Sequence, residues 1–410
     1  MSTTPGVTRP VARGFFLLGP AFVASIAYVD PGNVAANLTG GARYGYLLVW
    51  VVAVANLMAG LVQFQSAKLG LVTGRSLPEL LGERLKPTAR RLFWAQAELV
   101  AGATDLAELF GGAIALNLLF GIPLFAGGLI VGAVSMGLLA VQSRYGQRPF
   151  ESVIIGLLAI IAIGFLAGLF ITPPDGAAVL DGLIPRFDGA GSVLLAASML
   201  GATVMPHVIY VHSALARDRH GHSTTAEGLV RILRITRVDV IIAMGVAGIV
   251  NIGMLLLAAV NLRGVAGTDT IAGAHAAIGA SLGPGIALVF AIGLLASGLA
   301  STSVGSYAGA TIMAGLLKRR IPVVVRRLIT LVPAVGLLAV GIDPTWALVV
   351  SQVFLSFGIP FALVPLLRLT NDTTVMGERA NGRGMRWTLV LIVVLVVALN
   401  LALVGLTIWG

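Results

Sequence analysis

Hydrophobic residues along this chain come in long runs, and each run has the length a helix needs to cross lipid. A hydrocarbon core of about 30 Å is spanned by about 20 mainly apolar residues. Eleven stretches meet that requirement, at roughly 14–40, 43–67, 92–117, 122–142, 150–171, 190–215, 238–261, 285–316, 328–342, 345–367 and 387–409. Lipid offers no partner to an open sheet edge or an exposed loop, so the pattern predicts an all-α integral membrane protein of eleven transmembrane helices. The longest polar connections run to about 20 residues and low-complexity tracts are absent, so the function must lie within the membrane. The start of the first run, with Arg9 and Arg13 ahead of it, also has the look of a signal peptide. Cleavage near Ser25 would remove half of a span that the alternation of loop charges requires, so the run is read as a crossing.

Composition agrees. Of 410 residues 57% are hydrophobic and 11% charged, against about 25% charged in an ordinary soluble domain. The net charge of +10 would suggest nucleic acid in a soluble protein, but here topology accounts for it. Threaded from a cytoplasmic N-terminus, the eleven crossings leave only Arg43, Arg186 and Arg263 outside among 27 Lys and Arg. Apart from Arg9 and Arg13 in the tail, the rest gather in the even-numbered connections, as in Arg75, Arg84, Lys86, Arg90 and Arg91 of the second. An odd number of crossings puts the C-terminus outside. The absence of cysteine excludes disulfides, thiolate metal sites, iron–sulfur clusters and cysteine nucleophiles. Lys68, Lys86 and Lys318 are the only lysines and none follows a glycine, so no phosphate-binding loop for ATP is present.

Two spans contain sequences that no continuous helix in lipid would choose. The first carries Asp30-Pro31-Gly32-Asn33, and the sixth carries Gly201-Ala202-Thr203-Val204-Met205-Pro206-His207. Proline removes a backbone donor, glycine favours unwinding, and Asp and Asn compete for backbone hydrogen bonds. Such breaks persist at membrane depth only where protein buries them or where they line a wet cavity. Spans one to five and six to ten form two sets, 14–171 and 190–367, each opened by a broken helix. Five crossings per set force opposite orientations, so an inverted repeat is expected, with 1–13 a cytoplasmic tail and 387–409 an additional helix. A site at the midplane between two discontinuous helices is the signature of a secondary transporter.

The breaks offer the Asp30 carboxylate, the Asn33 amide oxygen, the Met205 thioether and main-chain carbonyls such as those of Ala27 and Ala202. A hard anion, neutral oxygens and one soft sulfur suit a divalent transition metal, Mn(II) or Fe(II), better than magnesium or calcium. Taken alone Met205 would read as core filler. Asp30 would not, because a charge at the bilayer centre costs roughly 2.5 to 3.5 kcal/mol even on a lenient scale. The third span adds Glu98, Asp105 and Glu108 at offsets of seven and three, a stripe on one helix face that suits proton transfer. Arg326 and Arg327 at the start of the ninth span are its natural counter-charges, and His207 is a titratable group beside Met205. His212, off that face, reads as a packing residue.

At these residues the sequence resembles the Nramp family of proton-coupled divalent metal transporters, its bacterial manganese members in particular. The likeness covers nearly the whole chain and rests on Asp30-Pro31-Gly32-Asn33 and Met205-Pro206-His207, with further matching text at 96–100, 103–108 and 351–353. The resemblance implies the LeuT-like fold of the neurotransmitter-sodium symporters. It implies metal held by Asp30, Asn33, Met205 and the Ala27 or Ala202 carbonyls, with Gln352 joining in some states. It also implies that Asp105 is the main proton acceptor, with Glu108, Glu98, His207, Arg326 and Arg327 forming the route away, and that Asn56 and Asn251 serve gating and packing. The eighth span departs from the family pattern: Leu299 and Ala310 stand where Gln is frequent, and Ala314 where Glu is frequent. The metal motifs are intact, so the departure bears on gating and rate.

The expectation is therefore a monomeric symporter that imports metal with protons by alternating access and has no resident cofactor, nucleotide or nucleic-acid partner. An amino-acid symporter on the same architecture is the alternative, but Asp30 would repel a substrate carboxylate. A membrane redox enzyme would need haem or metal ligands, and the five histidines show no defensible pairing.

Overall fold

The computed structural model describes residues 19–145, 147–221, 225–319 and 323–409; the side chains at 139–145, 147, 323, 324, 326, 327, 407 and 409 lie outside the description. The predicted tail 1–13 and the start of the first span therefore lie outside the described residues. The first span is built from α1 (Pro20–Ile26), a 3-10 turn (Ala27–Val29) and α2 (Pro31–Tyr44). There follow α3 (Val49–Thr73), α4 (Leu77–Arg84), α5 (Pro87–Phe120), α6 (Leu124–Tyr145), α7 (Gln147–Leu166) and α8 (Gly176–Asp181). The sixth span is again double, α9 (Gly189–Thr203) and α10 (Pro206–His220). The chain continues with α11 (Ala226–Asn261), α12 (Ile271–Leu282), α13 (Pro284–Leu317), α14 (Val323–Val340), α15 (Pro344–Asn371), α16 (Thr373–Met376) and α17 (Arg383–Trp409). No strand occurs among the described residues.

Among those residues, eight helical stretches are long and apolar enough to cross a membrane. They coincide with the predicted spans two, three, five to eight, ten and eleven. Spans one, four and nine fall on shorter apolar stretches, Pro20–Val29, Leu124–Leu138 and Leu328–Val340. Hydropathy did not foretell α4, α8 and α12, which lie in connections. The start of α4 was nonetheless written in Ser76-Leu77-Pro78-Glu79, a reciprocal cap in which the Glu79 carboxylate accepts from Ser76 N–H at 2.7 Å.

Contacts between connections agree with alternate crossings. At one end Arg43 pairs with Asp269 at 2.9 Å, and the Trp50 indole donates to the Arg186 carbonyl at 3.2 Å, joining the first, fifth and seventh connections. At the other, Arg84 pairs with Asp372 at 3.3 Å and Arg217 with Glu79, joining the second, sixth and tenth. Helix packing also repeats between the halves. α2 lies against α11 as α10 lies against α3, and α5 against α15 as α13 against α7. Exchanging each of the first five spans for its counterpart in the next five carries one pair onto the other.

Small residues let the central helices approach. A Cβ on Gly298 of α13 would lie 2.9 Å from the backbone nitrogen of Gly112 on α5, so only glycine fits that crossing. The first break is held by its neighbours. The Asn251 amide of α11 donates to the Tyr28 carbonyl at 2.7 Å, and the Ser297 hydroxyl of α13 donates to the Val29 carbonyl at 2.6 Å. Backbone acceptors released by unwinding are thereby satisfied inside protein, the condition for irregular chain at membrane depth.

Candidate metal site

Each break is a helix start forced into a span. At the first, Asp30 is extended (φ −69°, ψ 166°) and acts as N-cap of α2, its Oδ1 accepting from the Asn33 backbone N–H at 2.8 Å, with Pro31 in the first helical turn. At the second, Val204 and Met205 are non-helical and Pro206 begins α10, but the Met205 side chain provides no cap. The electrostatics of the four helix ends differ. The N-termini of α2 and α10 carry partial positive charge, whereas α9 ends in carbonyls that favour a cation. One oxygen of Asp30 serves the positive end of α2, and the other faces Gln352 of α15.

Side chains join the two breaks. The Asn33 amide nitrogen donates to the Ala202 carbonyl at 2.8 Å and to Asp30 Oδ1 at 3.2 Å, while the Thr203 hydroxyl donates to Asn33 Oδ1 at 3.4 Å. From α15, Gln352 Nε2 donates to Asp30 Oδ2 at 3.4 Å. Its Oε1 is buried and accepts no hydrogen bond among the described residues, an orphaned acceptor beside a carboxylate. Both glycines at the breaks are pressed against this residue. A Cβ on Gly32 would lie 1.8 Å from Gln352 Nε2, and one on Gly201 would lie 1.9 Å from the Gln352 carbonyl oxygen. Asp30, Asn33, Ala202 and Gln352 are thus in contact, and Met205 and Ala27, both buried, lie in the same two unwound segments. Among the described residues no group of three His, Cys, Asp or Glu is placed to hold a metal. This mixed set of one carboxylate, two amides, main-chain carbonyls and a thioether is the candidate.

The acid stripe flanks the first break. Asp105 and Glu108 are buried and Glu98 is half-buried on α5. Three residues beyond Glu108, Gly111 lies so close to Pro31 that a Cβ there would be 2.0 Å from the proline ring. Glu108 faces Gly305 of α13, and His207 Nδ1 lies 3.4 Å from the Thr104 hydroxyl, which ties the second break to the same helix. The side chains of Arg326 and Arg327 lie outside the described residues; their helix, α14, packs against α5. Asn251 also accepts from Asn37 at 3.3 Å, so it bridges the first break and α2. Asn56 donates to its own helix at Val52, 2.8 Å away, and packs against Gly248 of α11.

Three groups of residues were missed. Gln63 of α3 donates to the Tyr28 hydroxyl and accepts from His212 Nδ1 at 2.7 Å, linking the two broken spans through a third helix. His212 is therefore part of a polar relay that runs through Gln63 to Tyr28. Asp239 of α11 accepts from the backbone N–H groups of Gly19 and Ala21 at 3.1 and 3.0 Å and so caps α1. Glu151 and Arg219, both nearly buried, pair at 3.2 Å. Gln63 carried a signal, a long amide inside an apolar run. Asp239 and Glu151 stand at span margins, where an acid ordinarily belongs to a solvated loop.

Known proteins resemble this chain over nearly its whole length. The chain is 59% identical over 396 residues to the divalent metal cation transporter MntH of Mycobacterium tuberculosis (strain ATCC 25618 / H37Rv), covering 97% of this chain and 92% of that one. Its structure superposes on a crystal structure of the Eremococcus coleocola manganese transporter with TM-score 0.84 and 29% identity, over 98% of this chain and 96% of that chain. MhsT in complex with L-phenylalanine shares the fold alone, at TM-score 0.59 and 15% identity over 95% and 99% of the two chains. Residues 21–406 match the family described as natural resistance-associated macrophage protein-like. With that match spanning nearly all of the chain, the protein belongs to the Nramp family.

Proposed function

We propose that the chain is a secondary transporter that imports divalent transition metal ions, Mn(II) or Fe(II), together with protons. The observation that carries this reading is the contact of Asp30, Asn33, Ala202 and Gln352 where two unwound helices face one another. The relatives' names, a divalent metal cation transporter and a manganese transporter, point the same way. A metal entering this set replaces hydrogen-bond donors. The Asn33 and Gln352 amide nitrogens now donate hydrogen bonds to Asp30, and rotation of either amide would present an oxygen to the cation instead. Met205 supplies the soft ligand that discriminates transition metals from calcium and magnesium.

Asp105 is proposed as the proton acceptor, with Glu108, Glu98 and His207 continuing the route toward Arg326 and Arg327. The reading takes eleven crossings, the five-plus-five repeat, a cytoplasmic N-terminus and a monomer as its frame. If one proton accompanies each divalent ion, three charges cross. At about 2.3 kcal/mol per charge per 100 mV, the membrane potential alone supplies roughly 7 kcal/mol, about five decades of accumulation. The test is uptake into proteoliposomes with a panel of divalent ions and an internal pH dye. Mn(II)-dependent uptake with acidification is expected, and Asp105→Asn should retain metal binding but lose acidification. Uptake of an amino acid without metal would overturn the reading.

A further inference from the structure

At the end of the molecule where the second, sixth and tenth connections meet, a cavity of about 390 Å³ opens between α3, the first turns of α11 and the segment before α17. It lies apart from both breaks. Lys68, Arg234, Arg237 and Arg379 line it, with Glu378 the one carboxylate. Lys68 is close enough to Arg237 and Arg379 to be repelled by them. Among the described residues none of the three arginines pairs with a carboxylate, although six other arginines of the protein do so. The cations are instead held by neutral groups. Lys68 Nζ donates to Asn381 Oδ1 at 2.8 Å, and the Arg237 guanidinium lies 5.1 Å from the centre of the Phe64 ring.

The geometry is amphipathic. Val230, Leu233, Arg234 and Arg237 recur at offsets of three, four and seven, so they share one face of α11, and Phe64 and Lys68 are one turn apart on α3. Phe64, Val230, Leu233 and Ala380 thus border a cavity whose lining is mostly polar and whose charges are mainly basic, at the margin of two membrane-crossing helices. Lys68 and Arg379 are half-buried and Arg234 and Arg237 exposed, so four cations share one lining with a single carboxylate, a repulsion that an anion between them relieves. A group of this kind between membrane helices fits a phosphate whose remaining substituent is apolar.

We infer that this cavity binds a phosphate-bearing anion, with a phospholipid headgroup the form that best suits the apolar side chains at its border and its place at the ends of two membrane-crossing helices. It serves neither the metal nor the proton route. The side of the membrane it faces rests on the orientation proposed above, but binding itself does not.

Native mass spectrometry of the full chain, purified in detergent and offered phosphatidylglycerol, phosphatidylcholine or glycerol phosphate, tests the inference. Retention of phosphatidylglycerol well above phosphatidylcholine is expected. The double variant Lys68→Gln/Arg237→Gln should weaken it roughly 30-fold, since each basic residue near an anionic headgroup contributes about a fivefold factor. Because Lys68 also anchors Asn381, Arg234→Gln/Arg379→Gln is the second variant and should act alike. Arg91→Gln/Arg231→Gln, the same charge change outside the cavity, should leave retention within twofold. Equal retention of glycerol phosphate would keep the phosphate site and assign it to a soluble ligand. Retention unchanged in both cavity variants, or reduced equally by the control pair, would overturn the site.

Discussion

The two breaks perform one structural task with opposite chemistry. At the first, the chain caps itself: Asp30 takes the Asn33 N–H, and the Tyr28 and Val29 carbonyls are claimed by Asn251 and Ser297. At the second, the N-cap position holds a methionine that cannot accept a hydrogen bond of comparable strength, and the Ala202 carbonyl is satisfied only by reaching across to Asn33. The first break is therefore a preformed, charged half-site, and the second a neutral half-site completed by the first. In the proposed site a cation would gain most of its electrostatic stabilisation from one half and its chemical discrimination from the other. Gln352 belongs to neither broken span yet touches both, with its side chain at Gly32 and its carbonyl at Gly201.

Replacing the charge should have the largest effect. Outer-shell partners of a metal are commonly worth 10- to 100-fold in affinity, so Asp30→Asn should weaken Mn(II) binding by more than about 100-fold and reduce uptake to background. Isothermal titration in detergent measures the first and proteoliposome flux the second. Retained affinity would move the cation away from the first break. Met205→Ala should cost about tenfold in affinity for Mn(II) or Cd(II) while leaving calcium affinity nearly unchanged, so that calcium and magnesium compete relatively better, because only the soft ligand is lost. A uniform loss across all divalent ions would mean that Met205 shapes the pocket without ligating.

The glycines test the same asymmetry through packing. Gly201→Ala directs a methyl group at a backbone oxygen, and Gly32→Ala directs one at the end of a flexible side chain. Overpacking of this kind typically costs 1–3 kcal/mol. Both single variants should lower the melting temperature. Adding Gln352→Ala should restore most of it in the Gly32→Ala background and none in the Gly201→Ala background, where the obstructing atom is main chain. Stability is the readout, since Gln352 is itself a proposed ligand. Rescue of both would show that Gln352 does not wedge between the two breaks as described.

What could be seen in the sequence follows from what a short window of residues records. The breaks were legible because Pro31 and Pro206 remove donors wherever they stand, and Asp30 is too costly in lipid to be incidental. The spans were legible because a bilayer imposes length and hydropathy directly. Gln63 showed only as an amide in an apolar run, and its role, like those of Asp239 and the Glu151 pairing with Arg219, was not legible, because each gains its meaning from a partner on another helix: Tyr28, the start of α1, and the end of α10. Asn33 was legible as a polar residue at a break, but not as a bridge to Ala202, which lies 169 positions away.

The smallest expected effect concerns how the first break stays open. Asn251→Ala and Ser297→Ala each remove the side chain that satisfies a buried carbonyl, and leaving such an acceptor unmet costs about 1–3 kcal/mol. The two are not equivalent. Asn251 also accepts from Asn37 on α2, so its loss frees both the Tyr28 carbonyl and the Asn37 amide, whereas Ser297 serves Val29 alone. Asn251→Ala should therefore lower the melting temperature more than Ser297→Ala, and Asn37→Ala on top of Asn251→Ala should add little, because the pair already shares one bond. Thermal unfolding of the three variants in one detergent measures this. If Asn37→Ala and Asn251→Ala were instead fully additive, the first break would be held by independent contacts and not by one network through Asn251.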